Sequence, residues 1–280
     1  MSTSALHTLK VFFGQTITNR CNLDIGLFCK SLGKPVALSS VLSLALIVAG
    51  ILLTGSTLHA AQLRVEPVML ELNAPAAAAT LTLRNDDDAE VTAQTRVFRW
   101  SQSGGKETLE PTTDVVASPP AVKLSGKTDY VVRVVRVTKQ PVQGEESYRV
   151  VVDQLPQPQN QRARTINLLV RQSIPVFFRA RQILTAVVSW SLAYDGDKLI
   201  VTARNDGEER LRIASLQLRN SAGKTINFGN GLLGYALGRS SMSWIAPGNA
   251  RDFGTVGPVS ISAVSDKGPV NAVAAAPLRH

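Results

Sequence analysis

The chain has 280 residues, 44% hydrophobic and 18% charged, with a formal net charge of +9. That is apolar material for one large domain or two of ordinary size, which excludes a disordered tail. Aromatics are only 5%, and Pro (14) and Gly (20) are scattered, a balance that suits short strands and turns and argues against a helical bundle.

The histidines are His7, His59 and His280 and the cysteines are Cys21 and Cys29, so residues 60–279 contain neither type. Thiol, Cys/His-metal and Ser-His-Asp chemistry have nothing to work with there. Paired-carboxylate hydrolysis is not excluded by count, since 20 of the 21 acids follow residue 60, but nothing else argues for it. The expectation is a protein that is not an enzyme and that needs no metal and no cofactor.

Taken in chain order, residues 1–35 carry Lys10, Arg20, Lys30 and Lys34 against Asp24 and lead into the apolar run Val36 to Leu53. The small-residue stretch from Thr54 to Ala61 follows. Basic flank, apolar core and small-residue exit are the parts of a secretory signal, expected to be cleaved near Ala60 or Ala61. An uncleaved membrane anchor is the rival reading, because 18 residues approach a span of about 20. Loss of the leader's four bases and one acid takes the net charge from +9 to +6. Those charges are spread among strands rather than clustered, which reads as a solvated basic surface and not as a nucleic-acid site.

From Leu63 onward the chain reads as strands separated by turns. Leu63 to Leu72 carries Pro67, Ala79 to Arg84 alternates before the acidic turn Asp86-Asp87-Asp88, and Val91 to Trp100 follows. That acidic turn lacks the Gly and distal Glu of a calcium loop and reads as a solvated hairpin. After Gly104-Gly105 and a Pro-containing stretch come Asp129 to Thr138 and Ser147 to Leu155. The polar loop Gln157 to Arg164 then precedes the longest strand signal, Thr165 to Arg179, in which Ile166, Leu168 and Val170 share a face. A short link leads to Ala186 to Tyr194, Lys198 to Asn205, Arg210 to Arg219 and pieces between Gly231 and Trp244. The expected fold is all-β: a leader over 1–60, then two immunoglobulin-like β-sandwich domains over 61–182 and 183–280.

Several pieces in this order resemble the periplasmic pilus-assembly chaperones of the chaperone-usher pathway. They are the Pro67 strand, Leu81 to Asp86, Trp100, Ser118 to Pro120, Arg133 after the Leu124-Ser-Gly126 turn, the strand ending at Pro156, and Ile174 to Arg179. In the second half, the segments beginning at Val188, Ala203 and Gly234 look most like the archaic branch, whose subunits are spore-coat-U-like. The resemblance implies donor-strand complementation: Ile166, Leu168 and Val170 are lent to a pilus or surface-fibre subunit that lacks its last strand, and the complex goes to an outer-membrane usher. It further implies an Arg and a Lys that anchor the subunit's terminal carboxylate, but Met69 and Pro175 stand at those positions. Arg171, Arg64 and Arg133 are the substitutes to examine. Arg179 matches an interdomain arginine, with Gln154 where its acidic partner is expected and Asp153 on the other face of the strand. An unoccupied donor strand is an open apolar edge, so a self-capping homodimer is a further expectation. The competing reading is an exported two-domain adhesin or binding module that uses its loops.

Overall fold

The computed structural model describes residues 63–156, 169–248, 250–254 and 256–279. The leader, its cleavage point, Ile166 and Leu168 lie outside the described residues. The described residues fall within one compact unit, in which the strands make two β-sandwiches.

The first sandwich contains β1 (Leu63–Glu66), β2 (Leu70–Asn73), β3 (Ala78–Asn85), β4 (Val91–Ser103), β5 (Lys106–Pro111), β6 (Val115–Ser118), β7 (Ala121–Leu124), β8 (Asp129–Arg136), β9 (Glu145–Leu155) and β10 (Arg171–Arg179). One sheet has the order β1-β3-β8-β6; the other has β2-β10-β9-β4-β5, with β7 also on β4. The sequence read Leu63 to Leu72 as one strand. Instead it breaks around Pro67, and its halves join opposite sheets, β1 antiparallel to β3 and β2 parallel to β10. A ring without an N–H cannot continue a ladder, so Pro67 suits the crossover.

The alternation of β3, β8 and β9 turns Leu81, Leu83, Val132, Val134, Tyr148, Val150 and Val152 into the space between the sheets. Phe178 meets Tyr148 edge-on there, with centroids 5.9 Å apart. Each such side chain contributes about 1.5–3 kcal/mol on burial. In β10 the alternation fails, because Ile174 through Phe178 are all buried. The second face of that strand is covered by the other sandwich.

The second sandwich contains β11 (Val188–Asp195), β12 (Lys198–Asn205), β13 (Leu211–Arg219), β14 (Thr225–Asn227), β15 (Leu232–Ala236), β16 (Ser240–Ile245), β17 (Val259–Ser265), β18 (Gly268–Ala274) and β19 (Leu278–Arg279). Its sheets are β16-β12-β11-β19 and β14-β13-β17-β18, with β15 also on β13. Leu192, Leu199, Val201, Ile213, Leu216, Leu218 and Ile261 fill its core.

Both sandwiches close a corner with the same side chain. Asn85 is fully buried at the end of β3; its amide donates to the carbonyls of Ala89 (2.7 Å) and Ser125 (3.1 Å), and its oxygen accepts from Asp87 N–H (3.0 Å). Asn205 ends β12 in the same way, donating to Glu209 (2.7 Å) and Ala236 (3.1 Å) and accepting from Gly207 and Val187. Each satisfies backbone groups that would otherwise be buried without partners.

Candidate functional site

Along its whole length β10 is antiparallel to β9, from Arg171 opposite Asp153 to Arg179 opposite Glu145. The ladder continues one step upstream, where Gln154 N–H donates to the Val170 carbonyl at 3.0 Å. On its other side β10 is paired by β2 only over Val176–Arg179. Among the described residues, Arg171–Pro175 therefore have an unpaired backbone edge. Leu169, just before it, is 49% exposed. A half-paired strand of this kind is a template for another chain.

The face of this sheet that points away from the core carries Arg171, Pro175, Phe177 and Arg179 from β10, Glu145, Arg149, Val151 and Asp153 from β9, and Arg96, Phe98, Trp100 and Gln102 from β4. At one end Asp153 is held by Arg171 Nε and by Arg96 Nη2 at 2.6 Å. Burial would raise its pKa, but the two guanidinium groups outweigh burial and hold it below the usual carboxylate range. At the other end Glu145 accepts from the Arg210 backbone N–H (3.1 Å) and side chain, with Arg179 Nε at 3.7 Å. Here burial wins and pushes Glu145 up to about 7, against the pull of Arg210 and Arg179. Arg210 also pairs with Glu71, and its guanidinium stacks 3.7 Å from the Phe177 ring centroid.

Between these ends lies Arg149, directly opposite Pro175 and Phe98. Its guanidinium stacks 3.8 Å from the Trp100 centroid, and burial holds its pKa below the usual arginine value. It forms no ion pair among the described residues. Sequence reasoning missed it, although a lone cation between Tyr148 and Val150, facing away from the core, was a readable signal.

The sequence-predicted residues fall as follows. Val170 is partly buried at the head of β10. Arg171 is on the same face as Arg149 but bound to Asp153. Arg64 and Arg133 belong to the other sheet, on its outer surface; Arg64 pairs with Asp86 at 3.1 Å. The three arginines are not brought together. Arg179 reaches Glu209 of the second sandwich as well as Glu145, and Lys267 also pairs with Glu209. The acidic partners of Arg179 are thus neither Asp153 nor the residue at Gln154.

The two sandwiches are of the immunoglobulin-like kind. Residues 62–183 match the family described as pili and flagellar-assembly chaperone, PapD N-terminal domain. That match covers the first sandwich. Among solved structures, the chain is similar to one from the CsuC-CsuE chaperone-tip adhesion subunit pre-assembly complex of the archaic chaperone-usher Csu pili of Acinetobacter baumannii. The identity is 22%, the TM-score 0.59, and 79% of this chain and 100% of that chain are covered. It is also similar to the E. coli chaperone DraB (21%, TM-score 0.51, 76% and 98% covered) and to a chain of the Salmonella enterica SafA pilin–SafB chaperone complex (20%, 0.52, 77% and 97%). At these identities the likeness is one of fold. No curated protein sequence matches the chain significantly.

Proposed function

We propose that this protein is a periplasmic chaperone of the archaic chaperone-usher type. It is exported by cleavage near Ala60 or Ala61, holds pilus or surface-fibre subunits by lending them the strand that leads into β10, and delivers them to an outer-membrane usher. The observation that carries this is the one-sided pairing of Arg171–Pro175. A subunit lacking its last strand has open backbone groups and an apolar groove, and a half-paired strand supplies the complement to both. Ile166, Leu168 and Val170, at alternate positions of that strand, enter the groove. Without a subunit, the same edge serves a second copy of the chain.

Arg149 is the cation we assign to the subunit's terminal carboxylate, in preference to Arg64 and Arg133 on the far sheet and to Arg171, which Asp153 engages. It lies beside Pro175, is half-buried, and forms no ion pair among the described residues, with Glu107 drawing on it only from beyond ion-pair distance, so a charge-assisted bond to an incoming carboxylate recovers part of its desolvation.

The test is purification of the tagged protein from the periplasm of its host, reading the N-terminus and the co-purifying chains by mass spectrometry. A start near Ala61 and a stoichiometric small partner, lost in Ile166→Asp plus Leu168→Asp and weakened about 10-fold or more in Arg149→Gln, is expected. A double variant that retains its partner means a binding module that uses its loops.

A further inference from the structure

The β4–β5 hairpin runs past its own sheet. β4 is paired with β9 only as far as Arg99, and from Trp100 to Ser103 its partner is β5 alone. The projecting tip reaches the second sandwich. Gln102 is buried there, and its amide makes three bonds across: Nε2 donates to the Tyr235 carbonyl (2.8 Å), while Oε1 accepts from Leu237 N–H (2.9 Å) and from Ser240 Oγ (3.2 Å). Beyond it, the Gly105 carbonyl accepts from Ser243 N–H at 3.0 Å. That N–H belongs to β16, the terminal strand of its sheet, so the hairpin covers part of an otherwise open edge.

The tip is shaped for this contact. Gly105 has a φ of 77°, and a Cβ on it would come within 2.9 Å of Ser243 Cβ. A residue with a side chain would be strained there and would also push the strands apart. Trp100, at the base of the projecting part, meets Tyr235 edge-on with centroids 5.6 Å apart.

We infer that the β4–β5 hairpin is a strap that fixes the angle between the two sandwiches, with Gln102 as its positioning residue. The ionic contacts of Arg179 and Arg210 tie the base of the interface, but charged pairs tolerate sliding. Gln102 instead addresses a donor and an acceptor of one backbone segment at once, which only a single orientation satisfies. The inference does not depend on the proposed function.

The experiment is pulsed electron resonance on the full chain, with Cys21 and Cys29 replaced by Ser and spin labels on the exposed positions Thr80 and Asn271. The parent should give one narrow distance distribution. Gln102→Leu, which removes all three bonds, should widen it by about a doubling or more. Gly105→Val should do likewise, and Ser240→Ala, which removes one of the three bonds to Gln102 together with the local Ser240 Oγ bond to the Leu237 carbonyl (2.8 Å), should widen it less. Thermal unfolding of each variant identifies any that fail to fold; the Ser240→Ala comparison carries the test if Gln102→Leu does. Unchanged widths in the folded variants overturn the inference, as does widening by Glu145→Gln but by none of the hairpin variants.

Discussion

Glu145 and Asp153 sit on the same strand and the same face, and each is flanked by two arginines, yet their pKa values move in opposite directions. Asp153 is covered chiefly by the guanidinium groups themselves, and both arginines remain open to water on their outer side, 44% and 68% exposed. Glu145 and Arg210 are both withdrawn from water between the sandwiches, with side chains 1% and 3% exposed. Ion-pair geometry alone does not decide which form of a carboxylate is favoured; the solvation lost by both partners does.

The largest effect expected from this comparison is that of Arg210→Ala. It strips Glu145 and Glu71 of a partner and opens space beside Phe177, and should cost about 3–5 kcal/mol in chemical denaturation; a loss under about 1 kcal/mol would mean that the pair is energetically idle. Next comes the pH response of Glu145→Gln. A carboxyl raised to about 7 in the folded state destabilises that state progressively as pH rises from its ordinary value of 4.5 through 7. The stability of the parent relative to E145Q should therefore fall between pH 5 and pH 8, by on the order of 2 kcal/mol. A rise over that window would show that the arginines win.

Asp153→Asn should have a smaller effect, about 0.5–1 kcal/mol at neutral pH and less in high salt. Its sign is opposite: the stability from a lowered carboxyl is present above the ordinary value of 3.8 and lost as pH falls through the folded value. The acid limb of the stability curve should thus flatten in D153N. Smallest of all is Arg64→Gln on the outer surface of the other sheet, expected within about 0.5 kcal/mol.

What the sequence made legible was whatever alternates. Leu81 and Leu83, Val132 and Val134, and Leu199 and Val201 announce half-buried strands, and these strands are where the reading put them. The stretch from the Gly104-Gly105 turn to Pro119-Pro120 reads only as Pro-containing, but it contains β5 and β6, and β7 follows it directly. Every residue of β5 is exposed, so no hydrophobic period marks it. Val259–Ala274 was passed over as well; its strands are built largely from Ser, Ala, Val and Gly, which give a weak contrast between faces.

The face around β10 was legible in the same uneven way. The long strand stands out by its own pattern, and Arg179 could be picked from it. The partners of Arg179 could not, because Glu145 opens a neighbouring strand and Glu209 comes from a turn of the other sandwich. Gln102 gives no signal in one dimension: a polar residue at the end of a strand reads as solvated until a second sandwich is placed against it.

The paired corners at Asn85 and Asn205 extend beyond a single side chain. In each, an Arg precedes the Asn and an Asp follows it, and the Arg Nε reaches that Asp, at 2.6 Å for Arg84 and Asp86 and 2.9 Å for Arg204 and Asp206. The chain uses one clasp twice, and each clasp is built wholly from its own half. Damage to either should therefore stay local, leaving a molecule with one sound half and one loosened half, so that a folding chain has two separate closures to complete before its halves can meet.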